Sequence, residues 1–327
     1  MRKILVMAVL LFPATVIWAW PVTGAAAQVY PERPVRLIVP TTPSGATDLV
    51  ARMLSSGLTD LWGQQVIVDN RPGGHGIIGM GLLANAPADG YTLLMGNIGM
   101  IAINPGLYAK LPYDTVRDFM PLSLTTKQPF LLGINASVPA KDLREFIQLV
   151  KSKPGKMNFG SSGNGSGTHV AMEMLKQRLS MDILHVPYKG FGAMINDLVS
   201  GQVQACIVGV SALMPHVRSG KIRGLAVSHD KRLAIAPGIP TFAEVGVADF
   251  EVSQWQGLMA PTGVAPQVIT KITGDVARVM SASDIRGRLA KEGLEVVASS
   301  PKEFAAYIQA EIKRWHTVVK RANVQID

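Results

Sequence analysis

Two stretches of this chain carry the residue types that hold a small anion. One is Pro40-Thr-Thr-Pro-Ser-Gly-Ala-Thr-Asp48, the other Phe159-Gly-Ser-Ser-Gly-Asn-Gly-Ser-Gly-Thr-His169. Each is a Gly/Ser turn between a strand-like run and a helix-like one, with one turn in each half of the chain. The first turn of a helix exposes backbone N–H groups that have no partner within the helix. Glycine admits close approach, the helix dipole favours negative charge, and Ser and Thr hydroxyls add donors. A small carboxylate or phosphate is the natural guest; the alternative is an ordinary tight turn with a helix cap. His169 can hydrogen-bond a ligand at the second turn, or serve simply as a first-turn helix residue.

Other chemistries find no support. No G-x-x-x-x-G-K-[ST] run exists, so the P-loop is absent. Gly74-His-Gly-Ile-Ile-Gly79 matches G-x-G-x-x-G, but Asn70 to Gly73 intervene after the strand-like QVIVDN. Asp89 follows after only ten residues, where the dinucleotide fingerprint wants an acid about twenty on. There is no G-x-S-x-G and no H-E-x-x-H. The histidines lack metal-ligand spacing, and no carboxylate pair stands out as an acid/base couple. No cofactor, no metal and no catalysis is expected. The single cysteine, Cys206, sits in strand-like VQACIVGV and reads as a buried structural thiol.

The elements that must position the two turns alternate between strand-like and helix-like, the pattern of an α/β fold with mainly parallel strands. Apolar runs such as VRLIVP, QVIVDN, YTLLMG, FLLGIN, MNFGSS, ILHVPY, VQACIVGV and IRGLAVS suit strands buried on both faces. Thr47 and Asp48 can cap a helix carrying Leu49, Met53, Leu54, Leu58 and Leu61, ended by Gly63. Thr168 opens the helix VAMEMLKQRL. Ser300-Pro-Lys-Glu303 forms a capping box with Pro at the first helical position. It leads a helix with Phe304, Ile308, Ile312, Trp315 and Val319 on one stripe.

The 327 residues are 48% hydrophobic and 17% charged, enough for sizeable cores in two domains and against disorder. Arg2 and Lys3, the apolar run from Ile4 to Trp20 and the small residues Gly24 to Ala27 read as a secretory leader, residues 1–27. An uncleaved anchor is the alternative, interrupted by Pro13 and Pro21. Cleavage near Ala27 lowers the formal charge from +9 to +7, because the leader carries two cations and no acid. The basic residues are dispersed, without interleaved aromatics, so no nucleic-acid partner is expected.

Nine segments, in order, resemble one family: YPERPVRLIVP, PSGATDLVAR, VDNRPGGHGIIG, APADGYTLLMG, AINPGLY, KPGKMNFGSSGNGSGTH, HVPYKG, PTFAEVG and WQGLMAP. Together they look like the substrate-binding receptors of tripartite tricarboxylate transporters, the Bug or TctC type. The likeness runs from about Tyr30 to the C-terminal helix. It implies an α/β, two-domain periplasmic binding protein of the Venus-flytrap kind, with the ligand in a cleft between the lobes. Lobe one is expected over residues 28–128 plus 255–327, and lobe two over 129–254. Matching positions imply ligand contacts from Thr41, Ser44, Thr47, Asp48 and Asn97 in lobe one. Lobe two adds Ser161, Ser162, Gly165, Ser166, Thr168, His169, Tyr188 and Lys189. Asp48 is expected to cap its helix and orient the loop rather than touch an anion.

The resemblance implies a periplasmic, monomeric receptor for a small organic carboxylate, without catalysis. Its membrane partner is either a tripartite permease or a sensor kinase; the reading from another class is an exported hydrolase or isomerase. Gln204, Val208, Ile98, Met100 and Phe191-Gly192-Ala193 depart from the family pattern. If they line the cleft, they favour a carboxylate with an apolar or aromatic body.

Overall fold

The computed structural model describes residues 30–43 and 45–324; the leader lies outside them. The chain opens with β1 (Val35–Val39), α1 (Ala46–Trp62) and β2 (Val66–Asn70). After a glycine-rich 3-10 turn come α2 (Ile77–Ala84) and β3 (Thr92–Asn97), then a π-helical turn, Gly99–Ile103, running into α3 (Asn104–Leu107). A long strand, β4 (Phe119–Asn135), precedes α4 (Leu143–Ser152), β5 (Asn158–Ser161), α5 (Gly167–Leu179), β6 (Leu184–Pro187) and α6 (Phe191–Ser200). Then follow β7 (Ala205–Gly209), α7 (Val210–Arg218), β8 (Ile222–Val227) and β9 (Ser253–Pro261). The chain ends with α8 (Pro266–Ser281), α9 (Ser283–Lys291), β10 (Glu295–Val296) and α10 (Pro301–Ala322).

The strands line up in the order β2-β1-β3-β9-β4-β7-β5-β6, with β8 and β10 also pairing β4. Parallel pairing is confined to the two ends, β2-β1-β3 and β7-β5-β6. The middle is antiparallel: β9 runs between β3 and β4, and β4 also meets β7, β8 and β10 antiparallel. The expectation of a mainly parallel sheet is therefore corrected. β4 belongs to both halves, because residues 119–129 pair β9 while residues 130–135 pair β7 and β8. Register shifts at Pro121/Ser123 and Leu124/Thr126 let this strand carry a proline and change its bend.

Two of the apolar runs expected to be covered on both faces are sheet edges instead. In β2, Ile67 is exposed, and in β6, Leu184 is exposed. Their short length and flanking charge or proline limit edge-to-edge pairing.

Helix ends follow local chemistry. Gly63 closes α1 in the left-handed region, φ 64°, donating to the Thr59 carbonyl. The opening of α1 corrects the sequence reading: Gly45 is the N-cap, and Thr47 and Asp48 lie inside the first turn. Likewise Ser166, not Thr168, caps α5, its Oγ accepting from His169 N. Ser300 and Glu303 form the expected capping box on α10. That helix buries Phe304, Ile308, Trp315 and Val319. Glu311, buried with them, accepts from the indoles of both Trp255 and Trp315, at 2.9 and 3.0 Å. A buried carboxylate held by two N–H donors meets its desolvation cost in place. Cys206 lies fully buried in β7, and burial pushes its thiol well up, as expected of a structural cysteine.

Candidate ligand site

The second Gly/Ser turn, between β5 and α5, is held by its own side chains. Ser162 N donates to Thr168 Oγ1 at 3.1 Å, and Ser166 Oγ lies 3.0 Å from the same hydroxyl. Gly163 N donates to Ser161 Oγ, which lies 2.6 Å from His185 Nε2. Gly165 N donates to His169 Nδ1 at 3.0 Å. Gly163 and Gly165 take φ of 141° and 70°, which a side chain would resist. With these bonds made, Gly167 N and Thr168 N at the start of α5 have no partner among the described residues. They are the donors left for a ligand.

His169 supports this turn rather than charging it. Its ring stacks on His185 with centroids 3.6 Å apart and planes 8° apart, and the Phe159 ring centroid lies 4.8 Å from that of His185 and 6.2 Å from that of His169. Burial above all, then the neighbouring His185 and Lys176, lowers the His169 pKa to about 3. Burial, then Lys176, lowers His185 to about 4. Both rings are neutral at physiological pH, and His169 Nδ1 must be unprotonated to accept from Gly165. Lys176 is itself paired to Glu173 at 2.6 Å.

The first turn, between β1 and α1, is tied down from β2. Asn70 Nδ2 donates to the Thr41 carbonyl at 3.1 Å and to Asp48 Oδ1 at 2.9 Å, while Arg52 Nε reaches Asp48 Oδ2 at 2.9 Å. Asp48 thus binds Asn70 of β2 and Arg52 of its own helix. Thr41 Oγ1 is buried without a partner, and Ser44 lies outside the described residues. Ala46 N and Thr47 N, at the start of α1, have no partner among the described residues.

Asn97 and Ile98 lie between the two turns. Asn97 Nδ2 donates to Thr47 Oγ1 at 3.3 Å, and its Oδ1 accepts from Gly99 N at 3.0 Å, starting the π-helical turn. Ile98, next in the chain, reaches the other helix: a Cβ placed on Gly167 would stand 3.4 Å from Ile98 Cγ2 and 3.2 Å from Gln254 Oε1. The N-termini of α1 and α5 thus meet around Asn97 and Ile98. Below them Gln256, fully buried, accepts from Thr126 Oγ1 at 2.5 Å, and its Nε2 has no partner.

A cavity of about 320 Å³ opens beside the first turn of α1, lined by Gly45, Ala46, Asp48, Gln128 and Ser211 among others. That size suits a small organic acid. A larger cavity, about 390 Å³, lies among α1, α8 and α9 and touches neither turn. The smaller one reaches the first turn only: no residue of the second turn, nor Asn97 or Ile98, lines it.

The remaining sequence-predicted residues are more peripheral. Tyr188 sits beside the second turn, but its hydroxyl donates to Asp197 at 2.7 Å, and its pKa is pushed up to about 12, by burial first and then by Asp197. Lys189 is exposed and makes no ion pair among the described residues. Gln204 and Val208 do not line this site: Gln204 bonds Asn158 N and the Gly201 carbonyl, and Val208 is core. Met100 is buried against Gly76. Of the departures from the family pattern, Ile98 faces α5, and Phe191 is exposed beside the β6–α6 turn. The residues missed are His185, Gln128, Gln254 and Gln256. Lone residues outside Gly/Ser runs give no local signal, and only strand pairing brings them here.

A two-lobe α/β fold with strand-to-helix turns gathered at one site is that of the periplasmic solute-binding proteins. The chain belongs to the tripartite tricarboxylate transporter family of receptors, whose family model matches residues 50–324. It is 34% identical over 317 residues to the protein BugT of Bordetella pertussis, covering 97% of this chain and 96% of that one. Among solved structures it is similar to Rpa4515 of R. palustris with adipate: TM-score 0.84, 34% identity, 90% of this chain and 99% of that one. It is also similar to MatC of Rhodopseudomonas palustris with bound malate, with TM-score 0.80 and 33% identity, over 89% of this chain and all of that one. The family is one of binding receptors, not enzymes.

Proposed function

We propose that this chain captures a small organic carboxylate in the periplasm and presents it, in a closed form, to a tripartite permease. Lobe one comprises residues 28–128 and 255–327, lobe two residues 129–254, and the leader is removed near Ala27. The observation that carries the reading is the meeting of two helix N-termini at Asn97 and Ile98, each with unpartnered N–H groups. The relatives' adipate and malate have the same chemistry. Thr41, Ser44, Thr47, Asn97, Ser161, Ser162, Gly165, Ser166 and Thr168 form the ligand-facing shell, while Asp48 and His169 hold it in shape. Tyr188 and Lys189 stand at its margin. Phe191 supplies exposed apolar surface beside the β6–α6 turn, which favours an acid with a hydrophobic body.

Thermal unfolding of the purified mature chain against mono-, di- and tricarboxylates, aromatic acids and their amides tests this. At 100 times its dissociation constant a ligand stabilises by ~2.7 kcal/mol, a shift of roughly 5–10 °C at this size. A shift with an acid and none with its amide supports carboxylate capture. No shift with any acid, repeated after unfolding and refolding to strip a co-purified guest, overturns it.

A further inference from the structure

The loop between β2 and α2 has so far no part in the site, yet its conformation is costly. Gly73, Gly74 and Gly76 have φ of 128°, 54° and 87°, and His75 between them also lies in the left-handed region, at 52°. A residue with a Cβ is disfavoured there, and such outliers persist where the surroundings enforce them. Two bonds do so. The His75 carbonyl accepts from Asn104 Nδ2 at 3.1 Å, and His75 Nδ1 lies 2.7 Å from the Tyr108 hydroxyl. The other ring nitrogen faces the opposite half of the molecule: Nε2 lies 3.8 Å from where a Cβ on Gly163 would stand. Gly163 is in the β5–α5 turn, beside the donors of α5. Burial disfavours the imidazolium of His75 and keeps the Tyr108 phenol protonated. With Tyr108 as the donor to Nδ1, the single ring proton sits on Nε2, the tautomer that the proposal requires.

We propose that His75 is a ligand-binding residue, its Nε2–H donating across the cleft to the carboxylate held on the Ser161–Thr168 turn. The inference rests on the carboxylate reading above and deepens it: the anion on the second turn is read from both halves. It also explains why a strained histidine stands among glycines that would fold the loop more easily.

The test compares wild type with H75G, H75Q and Y108F, using adipate and malate as probes in calorimetry and thermal unfolding. Glycine adopts φ 52° without penalty, so unliganded H75G melts at or above the wild-type temperature. Its affinity for whichever probe binds wild type falls about 10- to 100-fold, the worth of a hydrogen bond to a charged acceptor. H75Q, which keeps a donor, loses less. In Y108F the ring is no longer fixed, and affinity falls between the two. A merely structural His75 gives the reverse: H75G melts lower and binds as wild type. That pattern, or H75G binding within threefold of wild type, overturns the inference alone. Nitrogen-15 NMR of the free protein should show the Nε2–H tautomer at His75, and the Nδ1–H form also overturns it. Failure of wild type to bind either probe or any acid in the wider panel overturns the carboxylate reading, and this inference with it.

Discussion

Lowering the pH from 6.5 to 4.5 probes the stacked histidine pair directly. In the native protein His169 and His185 titrate at about 3 and about 4, whereas in the unfolded chain both titrate near 6.5. Between those values the unfolded state binds protons that the native state refuses. Stability is therefore fully present above pH 6.5 and is lost as the pH falls through the window. Each such histidine contributes a slope of about 1.4 kcal/mol per pH unit. Two of them, averaged over the onset near 6.5, cost about 4 kcal/mol by pH 4.5, a large part of the roughly 5–15 kcal/mol that holds an ordinary domain together. The carboxylates with lowered pKa, such as Asp69 and Asp118, act mainly below this window. His75 acts within it, with the same sign. The difference between wild type and His185→Gln isolates the pair. Urea unfolding at half-unit pH steps, without ligand, should show a wild-type slope that the variant roughly halves. Equal slopes in the two proteins, or a wild-type slope below about 1 kcal/mol per pH unit, would refute the neutrality of the pair.

Three further outcomes are expected. Asn97→Ala releases both Thr47 Oγ1 and Gly99 N, and should cost about 1–2 kcal/mol in stability and about tenfold in carboxylate affinity by calorimetry; unchanged affinity would remove Asn97 from the ligand-facing shell. Gly257→Ala places a methyl group onto the buried Phe304 ring, so denaturant unfolding should report a loss of about 1–3 kcal/mol; a wild-type midpoint would contradict the packing of α10 on β9. Cys206 should resist a thiol reagent in the native state and react fully in denaturant; rapid native labelling would show that β7 opens.

The turns were legible because their function lies in the backbone: Gly163, Gly165 and the serines announce N–H groups and tight φ angles whatever surrounds them. The capping box at Ser300 and the stop at Gly63 were equally local. The antiparallel middle was not. β4 hides its first half behind Pro121, Lys127 and Pro129, and β9 carries Gln254 and Gln256, polar residues that resemble a loop until β3 and β4 flank them. His185 was invisible for the same reason. It meets His169 only because β5 and β6 pair, and Ser161 beside it lies 24 residues away in the chain. His75 lies in a glycine run whose match to a nucleotide fingerprint the sequence itself set aside, and only its φ angle and its neighbour across the cleft draw attention to it.

The place of β9 bears on the order in which the chain can fold. β3 and β4 do not touch along their ladders in the first half; β9 separates them, with Leu94 opposite Met259 and Thr126 opposite Gln256. A chain emerging from its N-terminus therefore presents two strands with open edges until residues 253–261 arrive. Such distant pairing is slow to form. The sheet of the first half is therefore incomplete until residues 253–261 have been made, whereas the strands of the second half all precede them. By the same logic, a truncation ahead of Ser253 removes the centre of the first half rather than its tail, and should yield no folded product.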